Sequence, residues 1–278
     1  MDQLDRARRT RHHRYRDSVK KSWDELGYPS FRATLAEQVD SVVAIPQDPF
    51  LQIELLRPML DARLHEPVLV DSDTATRIVR PYRWLLDQMG DGGKLTAAGF
   101  LPPRLVEAAV AELGLADEWI GSHNRENQTL PVLDLRESAM KTGLLRKQNG
   151  ILLLTPQGRT VRHDPVALWW HLAGNVPPRG AQMRELEATV LLLTAVAARL
   201  PGDPLQFAAD WLAKFGYRTS DGTPITKWVA RNCVETAWTV LIRTGAVERG
   251  SLGEPDQTTQ QGAIFARAAL RTWPRATK

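Results

Sequence analysis

Residues 144–154 read Leu-Leu-Arg-Lys-Gln-Asn-Gly-Ile-Leu-Leu-Leu, in a chain otherwise dominated by helical periodicity. Asn-Gly between two short apolar runs is a strong hairpin signal, because both residues tolerate the positive φ of a two-residue turn. Upstream, Ile78, Tyr82, Leu85 and Met89 form a stripe at i, i+4, i+7 and i+11 that stops at Gly90-Asp91-Gly92-Gly93. Lys94-Leu95-Thr96 is long enough only for a short strand. Pro102 and Pro103 open a further helix carrying Leu105, Val106, Ala109 and Leu113 on one side. Residues 131–142 form another, with Val132, Leu135 and Ala139 inward and Gly143 at its end. Thr155-Pro156 then opens one more. Helix, short strand, helix, helix, strand, turn, strand is the order of a winged helix, a helix-turn-helix variant with a hairpin wing.

The pattern recurs about 102 residues later. Leu241-Ile242-Arg243-Thr244-Gly245-Ala246-Val247-Glu248 resembles Ala139-Met140-Lys141-Thr142-Gly143-Leu144-Leu145-Arg146. Thr259-Gln260-Gln261-Gly262 resembles Thr155-Pro156-Gln157-Gly158 at an offset of 104, and the difference fits a longer second wing over 250–256. Helices are expected over 183–199, 205–215 and 226–243, with no clear first strand. The stretch 174–180 reads as a linker. The expected fold is mainly α: two winged-helix units behind an N-terminal helical arm. The boundaries are 1–73 for the arm and N-terminal helices (31–43 and 49–64), 74–173 for the first unit and 181–278 for the second. A length of 278 residues agrees with about two domains.

Charge is unevenly spread. Residues 1–21 hold eight basic and three acidic side chains, a surplus of five, while the rest of the chain sums to −1. Tyr15, Val19, Trp23 and Leu26 would line one face of a helix there. Such an arm can neutralise phosphates, pack on a partner, or lie on an anionic membrane surface, although its apolar face is too small for firm insertion. No run of about 18 apolar residues is present for a membrane span, and the polar N-terminus lacks a signal-peptide core. One cysteine, Cys233, allows neither an internal disulfide nor a Cys-based zinc cluster. A cytoplasmic protein is expected.

Enzyme chemistry finds little footing. Gly90-Asp91-Gly92-Gly93-Lys94-Leu95-Thr96 fails the phosphate-loop pattern twice: Gln88 stands where the first glycine belongs, and Leu95 follows the lysine. Gly-x-Ser-x-Gly, His-Glu-x-x-His and Gly-x-Gly-x-x-Gly do not occur. The six histidines form no ligand set, and neither cofactor nor metal is expected. Cys233, among apolar neighbours, reads as a buried inert thiol. Trp169, Trp170, Trp211, Trp228 and Trp238 read as core residues rather than a stacking platform.

Three blocks carry a family resemblance: residues 92–103 (Gly-Gly-Lys-Leu-Thr-Ala-Ala-Gly-Phe-Leu-Pro-Pro), 130–139 (Leu-Pro-Val-Leu-Asp-Leu-Arg-Glu-Ser-Ala) and 164–172 (Asp-Pro-Val-Ala-Leu-Trp-Trp-His-Leu). Over roughly 82–173 the chain resembles actinobacterial proteins of unknown function labelled plasmid open-reading-frame-three-like or insertion-element passengers. The resemblance implies no catalytic residue, and the β-rich domain that usually precedes this segment is not seen here.

The function expected from the residues is DNA binding without catalysis, of a regulatory kind. In a helix-turn-helix the second helix enters the major groove. Those helices would be 131–142, exposing Asp134, Arg136, Glu137, Ser138 and Lys141, and 226–243, exposing Lys227, Arg231, Glu235 and Thr239. The expected contacts are Arg6, Arg8, Arg9, Arg11, Arg14 and Arg16 of the arm, Arg136, Lys141, Lys227 and Arg231 of the helices, and Arg146 and Lys147 of the first wing. Charge is only weakly in favour, at +2 for residues 75–165 and +1 for 181–273. The alternative is a protein-interaction or scaffold module with no nucleic-acid role. No oligomeric state is readable.

Overall fold

The structure, a computed structural model, describes Val42 and residues 45–46, 48–64, 68–119, 121–178, 180–250 and 254–272. The basic arm, with Arg6, Arg8, Arg9, Arg11, Arg14 and Arg16, lies outside the described residues, as does all but Val42 of the helix expected over 31–43. The chain is mainly helical. The elements are α1 Pro49–Asp61, α2 Ser72–Ile78, α3 Arg80–Met89, β1 Gly93–Lys94, α4 Pro103–Leu113, α5 Leu130–Lys141, β2 Leu145–Gln148, β3 Ile151–Leu154, α6 Pro156–Val161, α7 Pro165–Gly174, α8 Met183–Ala197, α9 Pro204–Lys214, α10 Lys227–Cys233, α11 Glu235–Arg243, β4 Val247–Glu248, β5 Gln257–Thr258 and α12 Gln260–Thr272.

Helix starts follow one local rule. Asp48, Thr155, Asp164 and Asp203 each precede a proline at the first helical position. The side-chain oxygen accepts from a free backbone N–H, at 2.9 Å from Phe50, 2.9 Å from Gly158, 2.9 Å from Ala167 and 2.8 Å from Leu205. The proline gives up no bond there, since its missing N–H would have had no partner. Two helices expected to be continuous are broken. The stripe 78–89 divides at Val79, because Pro81 lacks an N–H and its ring presses on the carbonyl four residues back. The helix expected over 226–243 divides at Val234, whose φ of −110° and ψ of 20° leave the helical region. Neither glycine nor proline marks that break.

Antiparallel strands β1, β3 and β2 form a three-stranded sheet in that order, with Gly93 opposite Leu152 and Leu145 opposite Leu154. Asn149 (φ 49°) and Gly150 (φ 74°) make the expected tight turn. The second hairpin pairs only β4 with β5, Val247 opposite Thr258, and no strand lies between α8 and α9 among the described residues.

The two halves repeat at atomic level. Thr142 donates its hydroxyl to the Ser138 carbonyl at 2.7 Å, and Thr244 to Val240 at 2.7 Å. Gly143 and Gly245 follow with φ of 77° and 64°. After each hairpin a threonine hydroxyl reaches back to that glycine's carbonyl, Thr155 at 2.6 Å and Thr259 at 2.9 Å. The same hydroxyl accepts from Gly158 or Gly262 N–H, each at 2.9 Å. A Cβ at Gly158 would stand 2.2 Å from the Leu144 carbonyl oxygen, and one at Gly262 would stand 1.9 Å from that of Ala246. Both glycines are therefore fixed by close backbone approach.

The apolar faces belong to one core that runs through both halves. Helix α8 is buried from Glu187 to Ala197 and packs against α12, α9, α10 and α1. Helix α7 bridges α2 and α12. Its Trp169 is fully buried and meets Trp170 and Phe265 edge-on, with ring centroids 5.0 and 5.4 Å apart. Trp211 and Trp238 are buried as expected. Trp228 is the exception: it is 72% exposed on α10, which corrects its reading as a core residue.

Candidate nucleic-acid interface

Of the helices expected to read a groove, α5 faces α11, the second half of the 226–243 segment, while α10, the first half, exposes Lys227 and Trp228. Helix α11 packs along α5, and Lys141 at the end of α5 pairs with Glu235 at the start of α11 at 2.9 Å. Between Leu130 and Lys141, every α5 residue is buried or half-buried. On α11 only Glu235 is exposed. A helix enters the major groove with a free face, and α5 and α11 have none to offer.

Charges line this contact. Burial raises the Asp134 carboxyl above its usual range, and the nearby positive charges of Arg231, Arg243 and Arg249 only partly oppose it. Burial likewise lowers the Arg231 guanidinium, against the pull of Asp134 and Glu235. Arg243 is buried and ion-paired with Glu118. Below this layer the fully buried Tyr82 hydroxyl bonds Ser138 Oγ at 2.9 Å, and desolvation holds its pKa well above the ordinary range. The cavity left between the helices, walled by Asp134, Ser138, Lys141 and Thr239 among others, measures about 10 Å³. That is room for about one water molecule.

The expected contact residues have different fates. Arg136 does not face solvent: its Nε pairs with Glu126 Oε1 at 2.5 Å, and the two residues are 6% and 1% exposed. The other Glu126 oxygen accepts from Leu101 N–H at 2.6 Å. The expectation that Arg136 and Ser138 are exposed readers is therefore corrected, because both are buried in the fold. Lys141 is held by Glu235. Lys227 pairs with Asp203, the residue that also caps α9. Arg231 is half-buried in the charged layer.

Arg146 and Lys147 are exposed on β2. Strand alternation divides the sheet into two faces. Leu145, Leu152 and Leu154 point into the core. On the outer face Lys94, Ile151 and Gln148 form one row, and Leu153 and Arg146 the next. Lys147 projects from the opposite face over Gly99, where an added Cβ would collide with its amine. Residues 145–154 contain no acid. Lys94, Arg146 and Lys147 have no ion-pair partner among the described residues, although Arg146 bonds Gln148. Lys94 was missed as a contact. Its only signal was the short strand 94–96, and the pairing with β3 is what puts it on the same outer face as Arg146, with β3 between the two.

No group of three or more His, Cys, Asp or Glu could hold a metal ion among the described residues. His171 instead bonds the Thr142 carbonyl through Nε2 at 2.8 Å. None of the described helices is long and apolar enough to cross a membrane. No family model matches the chain, and no curated protein or solved structure matches it.

Proposed function

We propose that this is a non-enzymatic DNA-binding protein of two winged-helix units, α3 to β3 and α8 to β5, which holds phosphates through its first wing rather than reading bases with its second helices. The element order and the repeated threonine–glycine junction support the two units. The observation that carries the function is the exposed cations of a sheet without acids, Lys94 and Arg146 on one face and Lys147 on the other, while α5 and α11 are closed to a groove. The arm, with Arg6, Arg8, Arg9, Arg11, Arg14 and Arg16, adds phosphate attraction in this reading. Binding of this kind is indifferent to sequence and weakens steeply with salt. Fluorescence anisotropy with several unrelated duplexes tests it. Similar affinities are expected for all of them, with a steep salt slope that Arg146→Ala/Lys147→Ala makes shallower. No binding tighter than roughly 10 µM at low salt counts against it, as does a double variant that binds like the parent.

The exposed Trp228 favours a second reading, a protein-interaction module, since exposed tryptophans recur as anchors of protein interfaces. In that case a partner would stay bound at high salt, and Trp228→Ala would release it.

A further inference from the structure

The three strands of the first sheet sort the side chains of its outer face by kind. Lys94 stands on β1 and Arg146 on β2, the two outer strands, while Ile151 and Leu153 stand on β3 between them. Lys94 and Arg146 are exposed, Ile151 is 39% exposed and Leu153 is half-buried. Gly92 offers bare backbone to this apolar pair: a Cβ there would stand 2.9 Å from Leu153 Cδ2 and 3.0 Å from Ile151 Cγ2. The result is an apolar ridge with one cation on each side and no acid on the face. Backbone pairing fixes where the cations stand, two strand spacings apart, or about 10 Å. The hairpin also holds the longest unbroken run of exposed residues among the described residues, 146–151, and that run contains no acid.

We propose that this face lies over the minor groove of B-form DNA, with the Ile151–Leu153 ridge toward the groove floor and Lys94 and Arg146 on the phosphates of its two lips. The proposal rests on the phosphate reading above and names the groove. Widths decide between the grooves. The minor groove is about 6 Å across and the major groove about 12 Å. Cations about 10 Å apart straddle the first and fall inside the second. The ridge then sets a preference. Seen from the minor groove, A·T and T·A pairs show only acceptors, and G·C adds the guanine N2 amine. That amine stands in the space the ridge needs. A·T tracts also narrow the groove and strengthen its negative potential, which draws both cations inward. A·T and T·A look alike from this side, so duplexes of equal A·T content bind alike, in keeping with the phosphate reading.

Fluorescence anisotropy of the full chain with three duplexes tests this: alternating A·T, alternating G·C and alternating inosine·C. Inosine is guanine without the N2 amine, so inosine·C matches A·T in the minor groove and G·C in the major groove. The expected result is equal binding of A·T and inosine·C, at least about fivefold tighter than G·C, the worth of one mismatched base pair. Ile151→Ser should remove this preference and keep the salt slope. Lys94→Ala and Arg146→Ala should each lower that slope by about one. All three side chains are exposed, so circular dichroism should show the parent fold in every variant. Inosine·C that binds like G·C overturns the proposal, because the major groove is then the one touched. Equal binding of all three duplexes with a steep salt slope also overturns it, and leaves the phosphate reading standing. Absence of binding to every duplex overturns both.

Discussion

Replacing Glu126 by glutamine isolates what holds Arg136 inside the protein. The two side chains are 1% and 6% exposed and meet at 2.5 Å. The carboxylate serves two donors at once, Arg136 Nε–H on one oxygen and Leu101 N–H on the other. Glutamine has nearly the same shape but offers one acceptor oxygen. Its amide group must turn a donor toward one of these two donors, and the buried guanidinium loses its counter-charge. Removing one partner of a buried pair costs about 3–5 kcal/mol, because the remaining charge is stranded. With a urea m-value of about 2–3 kcal/mol/M, the unfolding midpoint should fall by about 1–2.5 M. Tryptophan fluorescence and far-ultraviolet circular dichroism would follow it. A double variant, Glu126→Leu with Arg136→Met, should recover most of the loss, since swapping a whole buried pair for apolar residues is often neutral or better. A loss under about 1 kcal/mol for Glu126→Gln would refute the reasoning. So would a double variant as unstable as the sum of the single ones.

Three further outcomes follow from particular contacts. Gly158→Ala and Gly262→Ala should each destabilise by at least about 1–3 kcal/mol, since the new carbon meets a backbone oxygen that cannot move aside; equal effects in urea unfolding would mark the two junctions as mechanically equivalent. The folded Asp134 carboxyl titrates above its ordinary 3.8, so the folded state binds the extra proton and stability should fall as pH rises through the range just above that value. Asp134→Asn should lack this decline and be no less stable than the parent at pH 7, as urea midpoints across the acid range will show. Trp228→Ala should change stability by less than about 0.5 kcal/mol, whereas Trp169→Ala should cost about 3–5 kcal/mol; calorimetry separates them.

What could be read from the sequence was local. The Asp-Pro and Thr-Pro helix starts, the Asn-Gly turn and the threonine–glycine junctions depend on neighbours within about fifteen residues, and all are present in the fold. What could not be read depends on distant partners. Asp134, Arg136, Glu137 and Lys141 look like a solvated face, yet Lys141 meets Glu235, 94 residues away. Arg136 finds Glu126 across a loop rather than one helical turn away. A charged residue is taken for a surface residue until its mate is known. The break at Val234 leaves no composition signal, and it turns Trp228 outward on α10 while α11 goes inward. Lys94 joins the sheet face of Arg146, across β3, only through the pairing of β1 with β3.

The edge-on meeting of Trp169 with Phe265 sets a timetable for the chain on the ribosome. Helix α12 covers both α7 and α8, so the indole of Trp169 has no wall on that side until residues some hundred positions later have been synthesised. The first half can form its hairpin and caps as it emerges, since those contacts are local. Its tryptophan must wait in the open, exposed to solvent and to chaperones, until α12 arrives to close over it.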